Sequence, residues 1–333
     1  MINQPPANPV RFNLLDGRDW LLTKICMIVP YLGRIPPAFD LFLQGAAKNL
    51  SITIHWLTDQ ETQGLDLPAN IIVHRTTMQE VKDKAQERLG TPINLDFPYK
   101  LCDFRPAFSL IYPELVEGFD YWAFGDFDVV WGDLEGELHA RIAEGYDFVT
   151  FHHLWVSGAF TLIRNTPIMN NAFRRHTGWK EAFGSREHCA FDECDRRYAL
   201  HSAVGDIGKV TASPPSMTQI FYGMGKSGEI KACFAHKIKE WIEVDEIIEV
   251  DHRNKRVRSH ENEVEFLLFH WVLKNRWHGF ELPEKKFPEL YFISREGFWE
   301  KRSQITTSNR SLRRLKGQLT RIIKGVQRRL GAS

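Results

Sequence analysis

Two aspartates one residue apart, Asp126 and Asp128, close the apolar run Tyr121-Trp122-Ala123-Phe124-Gly125. Carboxylates that close repel each other unless a cation lies between them, and burying them without a partner is costly. An Asp-X-Asp pair at the end of a buried segment points to a hard divalent ion, Mg²⁺ or Mn²⁺, able to bridge carboxylates to a diphosphate. The competing reading is a solvated turn whose aspartates cap a helix starting near Asp133. Gly125 ahead of the pair and Gly132-Asp133 behind it add weight to the metal.

The elements needed to hold such a pair alternate along the first half of the chain. Short apolar runs at 24–30, 52–57, 71–74, 122–124 and 146–151 read as strands, and helical spacing recurs at 38–50, 78–89 and 105–112. Gly90 marks the end of the second of these helices. Strands alternating with helices predict an α/β fold with a mainly parallel central sheet. In such sheets ligands sit beyond the carboxyl ends of the strands, and Asp59, Asp126 and Asp128 all fall there. The second half is less regular. Residues 167–176 and 191–201 read as helical, and residues 213–228, rich in Pro, Ser and Gly, as a loop able to cover a site. Residues 241–250 and 256–271 read as a hairpin turning at 252–255. There is no internal repeat and no clear linker, so one domain over 20–300 followed by a tail at 301–333 is the economical organisation.

Composition narrows the class. The 333 residues are 43% hydrophobic and 26% charged, ordinary for a globular protein, and 10 Trp supply surfaces for stacking or for a bulky core. No apolar stretch approaches the roughly 20 residues of a spanning helix, and residues 1–8 lack a secretory signal pattern. Five cysteines with no CxxC pair fit reduced thiols in a cytoplasmic setting. Net charge of +1 conceals an asymmetry: residues 301–333 carry 10 Lys and Arg and no acidic group, leaving a body of net −9. An acidic body argues against nucleic-acid binding.

The order of several short motifs resembles a nucleotide-sugar-dependent glycosyltransferase of the GT-A, Rossmann-like fold. It is closest to a bacterial glycosyltransferase-like group long described only as a family of unknown function. The motifs are residues 25–31, His55-Trp56-Leu57-Thr58-Asp59, Tyr99-Lys100-Leu101-Cys102-Asp103-Phe104-Arg105-Pro106, Gly125-Asp126-Phe127-Asp128, Ser157-Gly158-Ala159-Phe160, Phe191-Asp192-Glu193, and Phe269-His270-Trp271 with Lys274. The resemblance implies a nucleotide-binding half at about 20–150 and an acceptor half at about 151–300. It implies Mn²⁺ or Mg²⁺ on Asp128, with Asp126 nearer the ribose and His270 completing the coordination. A core histidine explains His270 equally well, since its neighbours are apolar. Pro30 and Tyr31 would stack the base, Thr58 and Asp59 would hold base or ribose, and Lys100, Asp103, Arg105 and Lys274 would make charged contacts to the nucleotide. Ser157 and Gly158 would line the sugar pocket. Asp192, ahead of Glu193, would be the general base that takes the acceptor hydroxyl's proton; both are also explained as favourable charge at a helix start.

On this resemblance the chain transfers a sugar from a donor such as a UDP-sugar to a glycan or lipid-linked acceptor in bacterial surface polysaccharide or lipopolysaccharide synthesis. A nucleotidyltransferase or metal-dependent phosphohydrolase would also want carboxylates and Mg²⁺. A non-catalytic sugar-binding module would exploit the tryptophans without metal. In the tail, Leu312, Leu315, Leu319, Ile322, Ile323, Val326 and Leu330 recur at helical spacing among basic residues, predicting a basic amphipathic helix. Such a helix suits an anionic membrane surface on the cytoplasmic side, a docked helix or a disordered tail.

Overall fold

Residues 25–30 are apolar with little interruption, which suits a strand covered on both faces. In the computed structural model, which describes residues 23–261, 263–272, 279–284 and 286–329, they form β1 (Ile25–Pro30) near the middle of a seven-stranded sheet. With β2 (Ile52–Thr58), β3 (Ile71–Arg75) and β4 (Tyr121–Gly125) it makes a parallel block in the order β3-β2-β1-β4. After the short β5 (Val129–Trp131), the chain adds β6 (Phe148–Thr150) and β7 (Phe160–Arg164). β7 runs antiparallel to both β4 and β6, and β8 (Ala232–Phe234) closes the edge parallel to β6. The expected parallel-rich sheet within a mixed α/β fold is therefore present.

Alternate residues of the central strands serve two cores, as the period of two requires. Cys26, Ile28, Trp122 and Phe124 face the layer holding Val81, Ala85 and Phe221. Ile25, Met27, Val29, Tyr121 and Ala123 face the layer holding Phe39 and Phe42. The helix Phe39–Ala46 supplies the second layer, and the helix Met78–Leu89, closed by a Thr77–Glu80 capping box and by Gly90 at φ 65°, helps build the first.

Two smaller sheets complete the fold. β9 (Ile238–Lys239) and β13 (Leu268–His270) join β5 in the order β5-β13-β9. β10 (Ile248–Asp251), β11 (Arg256–Ser259), β12 (Glu265–Phe266), β14 (Leu290–Ser294) and β15 (Gly297–Trp299) form an antiparallel sheet in the order β12-β11-β10-β14-β15. The helix Thr307–Arg329 follows. Among the described residues no helix is long and apolar enough to cross a membrane. The side chains of Lys324, Val326, Arg328, Arg329 and Leu330 lie outside the described residues, as do residues 1–22.

Three expectations are corrected. The hairpin turning at 252–255 exists as β10 and β11, but its second arm ends at Ser259, and residues 268–270 leave for another sheet. Residues 213–228 are not a covering loop. Met217–Lys226 is a helix started by a Ser216–Gln219 capping box, with Met217, Ile220, Phe221 and Met224 buried at helical spacing that outweighs its glycines. Residues 191–196 are turns, and a helix forms only over Tyr198–Val204. Ala190, Asp195 and Arg196 have φ of 53°, 53° and 60°, a left-handed conformation in which a helix cannot continue.

Candidate active site

β4 carries its apolar residues to the sheet's carboxyl edge and stops at Gly125, so Asp126 and Asp128 emerge where β1 also ends. Gly125 is needed at this position: a Cβ there would lie 2.5 Å from the Met27 side chain and 2.6 Å from the carbonyl oxygen of Ala159. That same Ala159 carbonyl accepts the Asp126 N–H at 3.3 Å, tying the aspartate to the turn that follows Ser157-Gly158. Phe127, between the two aspartates, is buried against Tyr31, Phe39, Phe42 and Trp56 and turns its neighbours outward.

His270 arrives by strand register. β13 runs antiparallel to β5 with His270 opposite Val129, and the Trp271 N–H donates to the Asp128 carbonyl at 3.2 Å. His270 Nε2 lies 3.4 Å from Asp128 Oδ1 and 3.8 Å from Asp126 Oδ2. Its Nδ1 lies 2.9 Å from Glu240 Oε1, a contact that turns Nε2 toward the aspartates. One ligand atom from each of Asp126, Asp128 and His270 falls within 4.8 Å of the others. Two carboxylates and an oriented imidazole, with both carboxylates about a quarter exposed, fit a hard divalent ion. Burial works against protonation of His270, but the carboxylates of Asp128 and Glu240 override it and raise its pKa well above the ordinary value.

A cavity of about 340 Å³ opens beside this triad and is lined by Pro30, Tyr31, Tyr99, Arg105, Asp126 and Asp128, among others. Small-molecule sites span roughly 300–1,000 Å³. Burial, followed by the charges of Asp128 and Asp126, pushes the Tyr31 hydroxyl pKa up, which places that hydroxyl close to the acidic pair. Arg105 reaches the cavity from the segment Pro98–Ala107 and bridges two carboxylates: Nη2 donates to Asp126, and Nη1 donates to Asp192 Oδ2 at 2.8 Å. Gly158 packs directly on this bridge. Its N–H donates to Glu193 Oε1 at 2.6 Å, and the Tyr198 hydroxyl donates to the other oxygen of the same carboxylate.

Several expected residues take other places. Asp192 is 1% exposed and sits behind Arg105; burial pushes its carboxyl pKa well up, with Arg105 acting against this. Lys100 and Asp103 are fully buried and do not line the cavity. Lys100 Nζ donates to Asp103 Oδ2 at 2.7 Å and to the carbonyls of Ala182 and Glu187 at 2.6 Å each, while Asp103 accepts the N–H groups of Cys189 and Phe191. The pair anchors the turn that presents Asp192. Thr58 is buried, and Asp59 Oδ1 accepts the Gly33 N–H at 2.8 Å, fixing the loop after Tyr31 rather than facing the cavity. Ser157 is buried against Thr150. Lys274 lies outside the described residues. Glu240 and Tyr99 are additions from the structure. Glu240 stands in an ordinary polar context, and Tyr99 was visible only as part of a motif.

A family profile described as a family of unknown function (DUF6625) matches residues 27–280. No curated protein matches the sequence. Among solved structures, mouse xyloside xylosyltransferase 1 in its apo form aligns with TM-score 0.34 and 10% identity, covering 50% of this chain and 78% of that one. A complex of the galactosyltransferase LgtC with donor and acceptor sugar analogues aligns with TM-score 0.26 and 12% identity, covering 47% of this chain and 64% of that one.

Proposed function

The chain belongs to a family of unknown function (DUF6625), and we propose that it is a metal-dependent glycosyltransferase using a nucleotide-sugar donor. The observation that carries this reading is the convergence of Asp126, Asp128 and His270 at the carboxyl edge of a parallel-rich sheet, beside a cavity that also holds Tyr31 and Arg105. On this reading the donor is a UDP-sugar, Mn²⁺ or Mg²⁺ is held by the triad, and the acceptor is a glycan or a lipid-linked glycan. The setting is bacterial surface polysaccharide synthesis on the cytoplasmic side of the membrane.

When bound, the ion supplies positive charge to the leaving diphosphate. The protein's own residues do the rest. Pro30 and Tyr31 offer the cavity wall for the base. Arg105 presents a second, always-charged group beside Asp126, suited to an anionic leaving group. Glu193 holds the Gly158 N–H and so fixes the floor next to Arg105. Asp192, sealed behind Arg105, acts as the residue that orients that guanidinium.

Calorimetry with UDP, with and without Mn²⁺, tests the proposal, alongside Asp128→Ala. Metal-dependent UDP binding in the parent and its loss in a variant that still unfolds cooperatively are expected. Tighter binding of nucleoside triphosphates would favour a nucleotidyltransferase, and no nucleotide binding at all would leave a sugar-binding module.

A further inference from the structure

The helix Thr307–Arg329 faces the opposite way from an ordinary surface helix. An amphipathic helix on a globular body buries its apolar stripe and leaves its charges in water. Here the charges face the body. Arg310 Nε donates to Glu296 Oε2 and Arg314 Nε to Glu296 Oε1, each at 2.7 Å, and Glu296 is 1% exposed. Arg313 donates to the carbonyls of Glu296 and Phe298, pairs with Glu281 at 3.0 Å, and covers the Trp299 ring at 3.5 Å from its centroid. On the other side Leu312, Leu315, Leu319, Ile322 and Ile323 are between 51% and 65% exposed. At a helical 100° per residue these five positions fall within an arc of about 100°, a single continuous stripe.

Whatever covers this stripe must be apolar and must tolerate a positive segment: residues 301–333 hold 10 Lys and Arg and no acidic residue, and these outnumber the three body carboxylates, Asp245, Glu281 and Glu296, that Arg310, Arg313, Arg314 and Lys316 meet. A second copy would bring the same positive charge against itself, which is repulsive. A bilayer containing anionic lipid supplies hydrocarbon for the stripe and negative charge for the basic residues together. We propose that the helix Thr307–Arg329 lies in the plane of an anionic bilayer surface on its Leu/Ile stripe. The clamp of Glu296 on Arg310 and Arg314 holds the body on the helix's opposite, polar face. The docked helix and the membrane helix are thus one arrangement: docking spends the arginine face and presents the apolar one. The inference does not rest on the transferase reading, because it uses none of the site residues.

The test is co-sedimentation of the full chain with phosphatidylcholine vesicles carrying phosphatidylglycerol, against pure phosphatidylcholine vesicles. Leu315→Glu combined with Leu319→Glu is compared with the parent, and light scattering gives the mass of both. Expected are binding to the anionic vesicles only, a monomeric parent, and a roughly tenfold or greater loss of partitioning in the double variant with cooperative thermal unfolding unchanged. A parent that stays in the supernatant with anionic vesicles overturns the proposal. So does a double variant that binds them equally well, or a dimeric parent that the substitutions dissociate, which would give the stripe to a second copy.

Discussion

Replacing Gly158 by alanine probes the bridge on which the site is built. A Cβ at Gly158 would lie 2.3 Å from Arg105 Nη1 and 2.9 Å from Glu193 Oε1, distances that real Cβ atoms do not tolerate. Neither neighbour can retreat freely. Arg105 is held by Asp126 on one side and Asp192 on the other, and Glu193 is held by the Tyr198 hydroxyl and by the Gly158 N–H itself. One charge-assisted contact has to break. Losing such a hydrogen bond costs about 1.5–3 kcal/mol, and a buried carboxylate left without its partner costs about 3–5 kcal/mol. A destabilisation of about 2–4 kcal/mol follows, or a Tm lowered by roughly 4–8 °C at about 2 °C per kcal/mol for a chain of this size. Calorimetric unfolding measures it, and titration with UDP and Mn²⁺ measures the second consequence, weaker binding as Arg105 leaves Asp126. Gly223→Ala is the control. It sits inside the helix Met217–Lys226 with nothing within 4 Å of its added Cβ, so it should hold or raise the Tm. A Gly158→Ala protein that unfolds within a degree of the parent and binds UDP as tightly would refute the reasoning.

Three further outcomes follow from the same contacts. Lys100→Met strands Asp103 in the core and should cost about 3–5 kcal/mol in chemical denaturation, with any loss of UDP affinity accompanying that loss of stability; a direct nucleotide contact would give lost affinity at unaltered stability. Glu240→Gln loosens the contact that orients His270 and should lower Mn²⁺ affinity in the presence of UDP by roughly 10- to 100-fold; unchanged calorimetric affinity would remove Glu240 from the site. Burial alone would raise the Glu296 pKa, but hydrogen bonds from Arg310, Arg314 and Ser294 outweigh it and hold the carboxyl below its ordinary 4.5. A depressed folded pKa adds stability that is complete above the unfolded value and is lost as pH falls through the folded one. The helix Thr307–Arg329 should therefore keep its hydrogen-exchange protection at neutral pH and lose it only below about pH 4.5; release already at pH 6 would contradict this.

The parts of the fold that could be read from the chain are those set by local pattern. The runs at 25–30, 52–58 and 121–125 are apolar and buried on both faces, and such runs announce themselves without knowledge of their partners. The helix Met78–Leu89 carried its own start and stop, Thr77–Glu80 and Gly90. The helix Met217–Lys226 was hidden by Gly223 and Gly225 and by the prolines before it, although its buried residues keep helical spacing. There composition and period point in different directions, and tertiary burial settles the segment as a helix. The break at 191–197 had no comparable signal, because Asp195 and Arg196 adopt a conformation that their residue types seldom choose.

The site divides along the same line. Asp126 and Asp128 could be found because the strand that delivers them ends beside them in sequence. His270 could be named but not placed, since its position depends on β13 pairing with β5 across some 140 residues. A slip of one residue in that register would turn His270 toward the core and leave the aspartates without it. Lys100, Asp103 and Arg105 look alike in the sequence, three charges within six residues, yet they divide by the direction each side chain takes from one irregular segment. Lys100 and Asp103 turn inward, pair with each other and find carbonyl and N–H partners from residues 182–191, whereas Arg105 turns toward Asp126. Apart from the Lys100–Asp103 pair itself, a local sequence window contains none of those partners. Charged residues near an acidic motif are therefore best read as a set that includes both the contacts and the supports of a site, and only the fold separates them. Here the support is as demanding as the contact: without the Lys100–Asp103 anchor, Asp192 has no fixed position from which to hold Arg105 against the cavity.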